Sequence, residues 1–583
     1  MTNEEKIVDE LSIAIKESGY DLPMNFNLKK LVEKPKMLKN GDYAFPVFGL
    51  SKFFHLSPDQ VAFSIYNRLN KSDTNFEKIE HNGAYINFFL DRKREASTLI
   101  SDIINNDSYG KNNAGNKKTI IVELSSPNIA KPMSMGHLRS TMIGESLSRI
   151  ANENGYKTIK INHLGDWGTQ FGLMIEAYKL WGNKDIIEQN PVDELVKLYV
   201  RINKEAETNP ELSEAGRSWF KKLEDGDPEA RELWKWFKNV SLREFNKVYQ
   251  RLGVTFDSMN GESFYQDKMS VIIDLLKNKG ILTESRGAQI VDLPSLLPAY
   301  NLPVSIILRS DGATQYATRD LATAFYRQTT YHFDKCLYVV GAEQKEYFKQ
   351  IKAILKLAGF NWSDDMEHIY FGLITFNGKK MSTRKGNVVK LEQVLDSAHK
   401  LAKNQIAEKN PNLSNSDKVA EQVGTGAVIF NDLMNDRTLS IDFDLDQIVK
   451  FEGDTGPYVQ YTHVRAVSIL RKSSIKIDIN DAIKLLDNDS WAVVSKLSVY
   501  PDIVKRAWIL REPSIIAKYL LNLAHEFNSY YSKVHILVED KQLSSRLALV
   551  DAVAIVLKKV LNCLMYKPLI RCEIIFLRSL MFF

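Results

Sequence analysis

Apolar positions recur at helical spacing in EEKIVDELSIAIKE (4–17) and alternate in GAYINFFLD (83–91), so the chain opens on a helix and later a strand. The stretch NNDSYGKNNAGNKK (105–118), rich in Asn, Gly and Lys, reads as a linker. TIIVEL (119–124) is a β-branched run suited to a buried strand. The loop SSPNIAKPMSMG follows, then a helix from near His137 to about Asn154, which Gly155 ends before the strand YKTIKIN. This is a β–loop–α–β unit. Residues 185–285 are helical and highly charged. There Asp227-Pro228 predicts a cap with proline at the first helical position, and Trp219, Trp234, Trp236, Phe237 and Phe245 supply the apolar side. Alternation of strand and helix resumes with VSIILRS (304–310), a turn at Asp311-Gly312, helical QYATRDLATAFYRQ, the strand KCLYVV (335–340) and a helix closed by Gly359. HIYFGLITF and the basic loop NGKKMSTRKGN come next, and from about Asp417 the pattern is helical almost throughout.

The expected class is therefore α/β: an open, Rossmann-like parallel sheet with a helical insertion, an N-terminal α+β domain and a C-terminal all-α helical bundle. The expected limits are 1–112, 113–400 with the insertion at about 185–285, a helical connector at 401–455, and 456–583. A length of 583 residues asks for several domains.

With 44% hydrophobic and 26% charged residues the chain is not mainly disordered. No uncharged apolar run reaches the ~18 residues of a spanning helix, and the acidic start MTNEEKIVDE has no leader-like apolar core. Three cysteines without a CxxC pair exclude a disulfide framework and a cysteine-built zinc site, so a cytoplasmic location is expected. The net charge is only +5, but residues 456–583 hold 18 Lys+Arg against 11 Asp+Glu. A nucleic-acid face and a solvated face both fit that excess.

Two loops carry candidate chemistry. Open parallel sheets bind ligands beyond the carboxyl ends of their strands. In SSPNIAKPMSMGHLRST, Gly136 permits close backbone approach, and His137 stands at a helix start, where free N–H groups attract phosphate. Arg139 is a further candidate for anion contact. The second loop, GKKMSTRKGN (378–387), presents Lys379, Lys380, Arg384 and Lys385 beside small and hydroxyl residues, a composition able to fold over a triphosphate. The two loops lie about 245 residues apart, on either side of the α/β region.

In these two loops the sequence resembles class I aminoacyl-tRNA synthetases. Ser134-Met135-Gly136-His137 stands for their HIGH-type element, and Lys380-Met381-Ser382-Thr383-Arg384 for their KMSKS-type element. The blocks VELSSPNIAKPMSMGHLRST, INHLGDWGTQFG, QYATRD, KMSTRKGN and GDTGPYVQYTHVR, with GDYAFPVFGLSK and GAYINFFL near the N-terminus, are similar to those of the arginyl-tRNA synthetase family. The resemblance runs from residue 1 to about 564. Two positions depart from the pattern: Ser134 replaces the first histidine, and Thr383 replaces the second lysine. Relatives with the second change keep a lysine before the HIGH-type element, a place Lys131 fills.

The resemblance implies an arginine–tRNA ligase that joins arginine to ATP and passes it to its tRNA. The implied partners are L-arginine, ATP with Mg2+, and the tRNA for arginine. No membrane and no separate metal cage are implied, and a monomer is expected. The implied catalytic residues are His137, Lys131 and Lys380, with Ser134, Gly136, His137, Met381, Ser382 and Arg384 on ATP. The implied arginine pocket is Glu123, Asn128, His163, Tyr316, Asp320 and Gln344, acids and amides that suit a guanidinium fork. Tyr316 and Asp320, four apart, share a helix face. Gly165, Asp166 and Gln170 are expected close by, with Asp166 equally able to cap a helix. The N-terminal domain is expected on the outer corner of the tRNA. The last domain is expected at the anticodon, with Trp508, Tyr519, Phe527, Tyr530 and Tyr531 suited either to base stacking or to a bundle core. The tail after Leu564, MYKPLIRCEIIFLRSLMFF, leaves the family pattern, so no anticodon contact is carried onto it. A non-catalytic tRNA-binding relative, suggested by Ser134, and a class I ligase for another amino acid remain as rivals.

Overall fold

The computed structural model describes residues 3–23, 26–35, 37–69, 76–376, 379–380, 389–473, 475–479, 484–485 and 487–565. They fall into two compact units that do not follow chain order: residues 1–107, 468–498 and 526–553 form one, and the remainder the other.

In the first unit, Tyr85–Leu90 is the central strand of an antiparallel sheet, flanked by Tyr43–Pro46 and Phe76–Asn82. Its Ile86, Phe88 and Leu90 are buried, as the alternation predicts. Asp42 ties this sheet to a segment far along the chain. Its carboxylate accepts from the Leu90 amide at 2.9 Å and from the Trp491 indole N–H at 3.0 Å. Arg92 lies over the Trp491 ring at 5.1 Å and donates to Asn488.

The second unit is built on a parallel sheet of β1 (Thr119–Glu123), β2 (Lys157–Ile161), β3 (Lys335–Tyr338) and β4 (Met366–His368), in the spatial order β4-β3-β1-β2. Its helices include α1 (Met135–Glu153), α2 (Pro228–Leu252), α3 (Tyr316–Tyr331), α4 (Lys345–Leu357), α5 (Leu391–Lys409) and α6 (Ser416–Leu433). Residues 120–122 of β1 are wholly buried, as a two-face-covered strand requires. From β1 the chain crosses to β2 on one side, and only later to β3 on the other. A switch point therefore opens above the carboxyl ends of β1 and β3. Ile121, Cys336, Leu321, Ile354 and Met366 pack into the core beneath it.

The structure corrects several expectations. VSIILRS does not join the parallel sheet. Ser305–Leu308 pairs antiparallel with Ala288–Val291, which pairs with Thr283–Ser285. Its Ile306 is 45% exposed while Ile307 is buried, the alternation of a one-sided sheet. HIYFGLITF divides: its start belongs to β4, while Ile374–Phe376 pairs with Lys379–Lys380 and Ile441–Asp442. Trp508, Tyr519, Phe527 and Tyr530 are buried core, as their spacing among Leu and Ala requires, so only Tyr531 of the five is open to a base. Asp227 does cap α2, accepting from the Ala230 amide at 2.9 Å with Pro228 first in the helix. Trp234, Phe237 and Phe245 form the buried face of α2. Among the described residues no helix is long and apolar enough to cross a membrane.

Candidate active site

The first turn of α1 begins on Ser134, whose extended backbone caps the helix. The Ser134 amide donates to His137 Nδ1 at 2.9 Å, and the Ser134 hydroxyl lies 3.1 Å from the same nitrogen. An Nδ1 that accepts leaves the ring proton on Nε2. Burial, with the Lys131 ammonium nearby, lowers the His137 pKa to about 4. His137 is therefore a neutral N–H donor near neutral pH. In an NMR titration its resonance should move with a midpoint near 4, and the proton lost on refolding should make the protein less stable as pH falls from about 6.5 towards that value. A midpoint at or above the free-imidazole value would refute the neutral assignment.

Gly136 is exposed, and a side chain there would approach only Ser134 Oγ, at 3.6 Å. Outside the flanking residues and the helix's own backbone, no other atom of the described residues lies within 4 Å of that position. Gly165 differs: a Cβ would stand 2.2 Å from Asn128 Oδ1. Gly165 and Asn128 bridge as parallel backbones, which seats the loop after β1 on the loop after β2. The Lys131 ammonium lies 5.5 Å from the ring centre of Tyr199.

Arg139 is not an anion ligand. It is wholly buried and pairs with Asp432 at 2.8 Å. It also donates to the carbonyls of Gly372 (2.8 Å), Leu439 (2.9 Å) and Arg437 (3.3 Å). Gly372 leads into Ile374–Phe376 and so into the lysine-rich loop. On the loop's far side, Ser134 bridges Lys390, and the Leu391 amide donates to the Met133 carbonyl at 2.9 Å. The chain entering and the chain leaving the loop are thus both fastened to the start of α1. Lys380 closes the described strand Lys379–Lys380, while Met381, Ser382, Thr383 and Arg384 lie outside the described residues.

The acidic residues gather at the switch point with partners the sequence did not announce. Glu123 ends β1 and its carboxylate pairs with the fully buried Arg327 at 2.6 Å. Its charge is already balanced, unlike the free acceptor its type suggested. Asp320, at the start of the second turn of α3, accepts from the Tyr347 hydroxyl and has no ion-pair partner among the described residues. Burial raises its pKa, against the opposing pull of His163 and Tyr347. Tyr316, one turn earlier, is 62% exposed and leans on Tyr347, ring centres 5.1 Å apart. Gln344 is exposed just before α4. His163 is neutralised by burial, its Nδ1 buried without a partner among the described residues, and its ring lies 5.5 Å from that of Tyr265. Asp166 is structural. Its carboxylate binds Lys238 at 2.6 Å and the Ser263 amide and hydroxyl at 2.8 Å each.

Sequence reasoning missed Arg327, Tyr347 and Glu262. Glu262 meets Arg319 at 3.4 Å, and burial pushes its pKa up to about 7. An arginine among Ala and Phe, seven residues after Asp320 on the same helix, was the one available signal for Arg327.

Comparison with known proteins bears directly on this arrangement. Family models match the tRNA synthetases class I (R) catalytic domain at residues 99–445, the DALR anticodon binding domain at 459–571 and the arginyl tRNA synthetase N terminal domain at 5–90. The arginine–tRNA ligase of Oenococcus oeni is 62% identical over 548 residues, covering 94% of this chain and 96% of that protein. That of Enterococcus faecalis is 53% identical over 565 residues, covering 97% and 99%. The solved arginyl-tRNA synthetase of Thermus thermophilus shares the fold, with a TM-score of 0.77 at 24% identity over 98% of this chain and all of that one. With this catalytic match, and near-full-length identity to two such ligases, the chain belongs to the arginyl-tRNA synthetase family of class I.

Proposed function

We propose how this chain, an ATP-dependent arginine–tRNA ligase, activates arginine and transfers it to its tRNA, with the roles divided as follows. Asp320 takes the guanidinium of the incoming arginine, assisted by Asn128 and Gln344 as amide acceptors and by Tyr316 along the aliphatic stem. Glu123, paired with Arg327, contributes field rather than a free charge. His163 lines the same slot. On the ATP side, His137 offers a neutral Nε2–H to a phosphate oxygen, Gly136 gives room, and Ser134 holds the imidazole tautomer. Lys131, Lys380 and Arg384 supply cationic charge, and Met381 and Ser382 complete the contacts to ATP.

No enzyme nucleophile is needed. The arginine carboxylate attacks the α-phosphate, pyrophosphate leaves, and the residues align and neutralise charge. Magnesium enters with ATP as its counter-ion. Among the described residues no group of three or more His, Cys, Asp or Glu is arranged for a metal. The four-part domain reading, work as a monomer and a cytoplasmic setting belong to the same proposal.

The observation that supports it best is Asp320, a cleft carboxylate bonded to a tyrosine but to no cation among the described residues. Pyrophosphate exchange tests the reading. It should require arginine, ATP and cognate tRNA together, and lysine should not replace arginine. No exchange with the full set would favour a binding protein, and preference for lysine or glutamate would refute the pocket.

A further inference from the structure

The loop that carries Asn128 and Lys131 is bent in an unusual way. Three non-glycine residues within six, Ser125 (φ 72°), Ser126 (φ 50°) and Ala130 (φ 59°), adopt left-handed backbone. Such conformations persist only where surrounding bonds impose them. Here two of those bonds come directly from one face of α2, the long helix of the insertion, and a third through Asn162. Ser241 Oγ accepts from the Ala130 amide at 3.2 Å. The Tyr249 hydroxyl sits 2.7 Å from Ser125 Oγ and accepts from Asn162 Nδ2 at 3.0 Å, and Asn162 Oδ1 accepts from the Ser126 amide at 3.2 Å. One turn or two earlier on the same face, Trp234 donates to the Asp166 carbonyl at 2.8 Å and Lys238 to its carboxylate. Positions 234, 238, 241, 245 and 249 follow helical spacing, and Phe245 between them is buried.

We infer that this face of α2 is a clamp: Ser241 and Tyr249 are positioning residues that hold the strained 125–130 loop in the shape arginine binding requires, while Trp234 and Lys238 hold the adjoining 163–166 turn. Neither Ser241 nor Tyr249 needs to touch substrate. The inference rests on the arginine-activating reading above and deepens it, because it makes amino-acid recognition depend on the insertion.

The test uses the full-length chain with Ser241→Ala and Tyr249→Phe. Tyr249→Phe should raise the Michaelis constant for arginine about tenfold and leave that for ATP within about twofold, which general loosening of the fold would not do, whereas Ser241→Ala, whose bond to Ala130 adjoins Lys131, should raise both. Adding Ala130→Gly to Ser241→Ala should recover most of the loss, because glycine adopts the left-handed conformation without help. Constants for arginine and ATP that rise together in Tyr249→Phe, an unchanged arginine constant in both variants, or no recovery with glycine would each overturn the clamp. A parent chain inert toward arginine would instead remove the reading beneath it.

Discussion

Asp320→Ala should raise the Michaelis constant for arginine about a hundredfold or more and leave that for ATP within about threefold. Removing one partner of a desolvated charge pair strands the other, at a cost of about 3–5 kcal/mol, and each ~1.4 kcal/mol is tenfold in affinity. The stranded charge here is the guanidinium of the substrate. Asp320 is suited to this role because no cation of the described protein pairs with it, whereas Glu123 is already bound to Arg327. Its carboxyl is biased upward by burial, and an incoming guanidinium would draw it back down. Asp320→Asn separates charge from hydrogen bonding. It keeps an acceptor for Tyr347, so it should be milder than alanine yet still selective for arginine over ATP. Steady-state kinetics with each substrate varied in turn decides the matter. Equal effects on both substrates would mean that Asp320 does not contact arginine.

Arg139→Ala should destabilise the catalytic unit by about 3–5 kcal/mol in urea unfolding, since it leaves the buried Asp432 without its partner. The guanidinium also serves three carbonyls, and only a planar fork reaches all of them. Arg139→Lys keeps the charge but not the fork, so it should fold with part of the loss. Its kinetic signature should be the reverse of the Asp320 variants, with the ATP constant rising several-fold and the arginine constant little changed. The reason is structural: Arg139 holds Gly372, which leads into the lysine-rich loop, on the helix that presents His137. A lysine variant as stable as the parent, or one that weakens arginine more than ATP, would show that Arg139 does not set the ATP loop.

Much of this was legible locally. Helical and alternating periods, the Asp227-Pro228 cap and the strand–loop–helix unit at 119–154 depend on residues within a few turns of one another, so the sequence alone announces them. The same holds for the pairing of Tyr316 with Asp320 across one helical turn, and for the two phosphate-type loops, whose composition states their chemistry. What the sequence could not state is which distant groups neutralise one another. Arg139 looked like an anion ligand because its partners lie far along the chain, Leu439 by 300 residues. Glu123 looked free because Arg327 arrives on another helix. The protonation state of His137 was not legible because only folding buries it beside Lys131 and turns the Ser134 amide onto its ring. The strand at 305–308 looked like part of the central sheet because apolar content says little about which edge a strand will meet. Local pattern thus determined the elements and the motifs. Tertiary structure decided protonation, charge balance and which polar residues are spent on holding the fold, because those depend on desolvation and on partners that only the folded chain brings within reach.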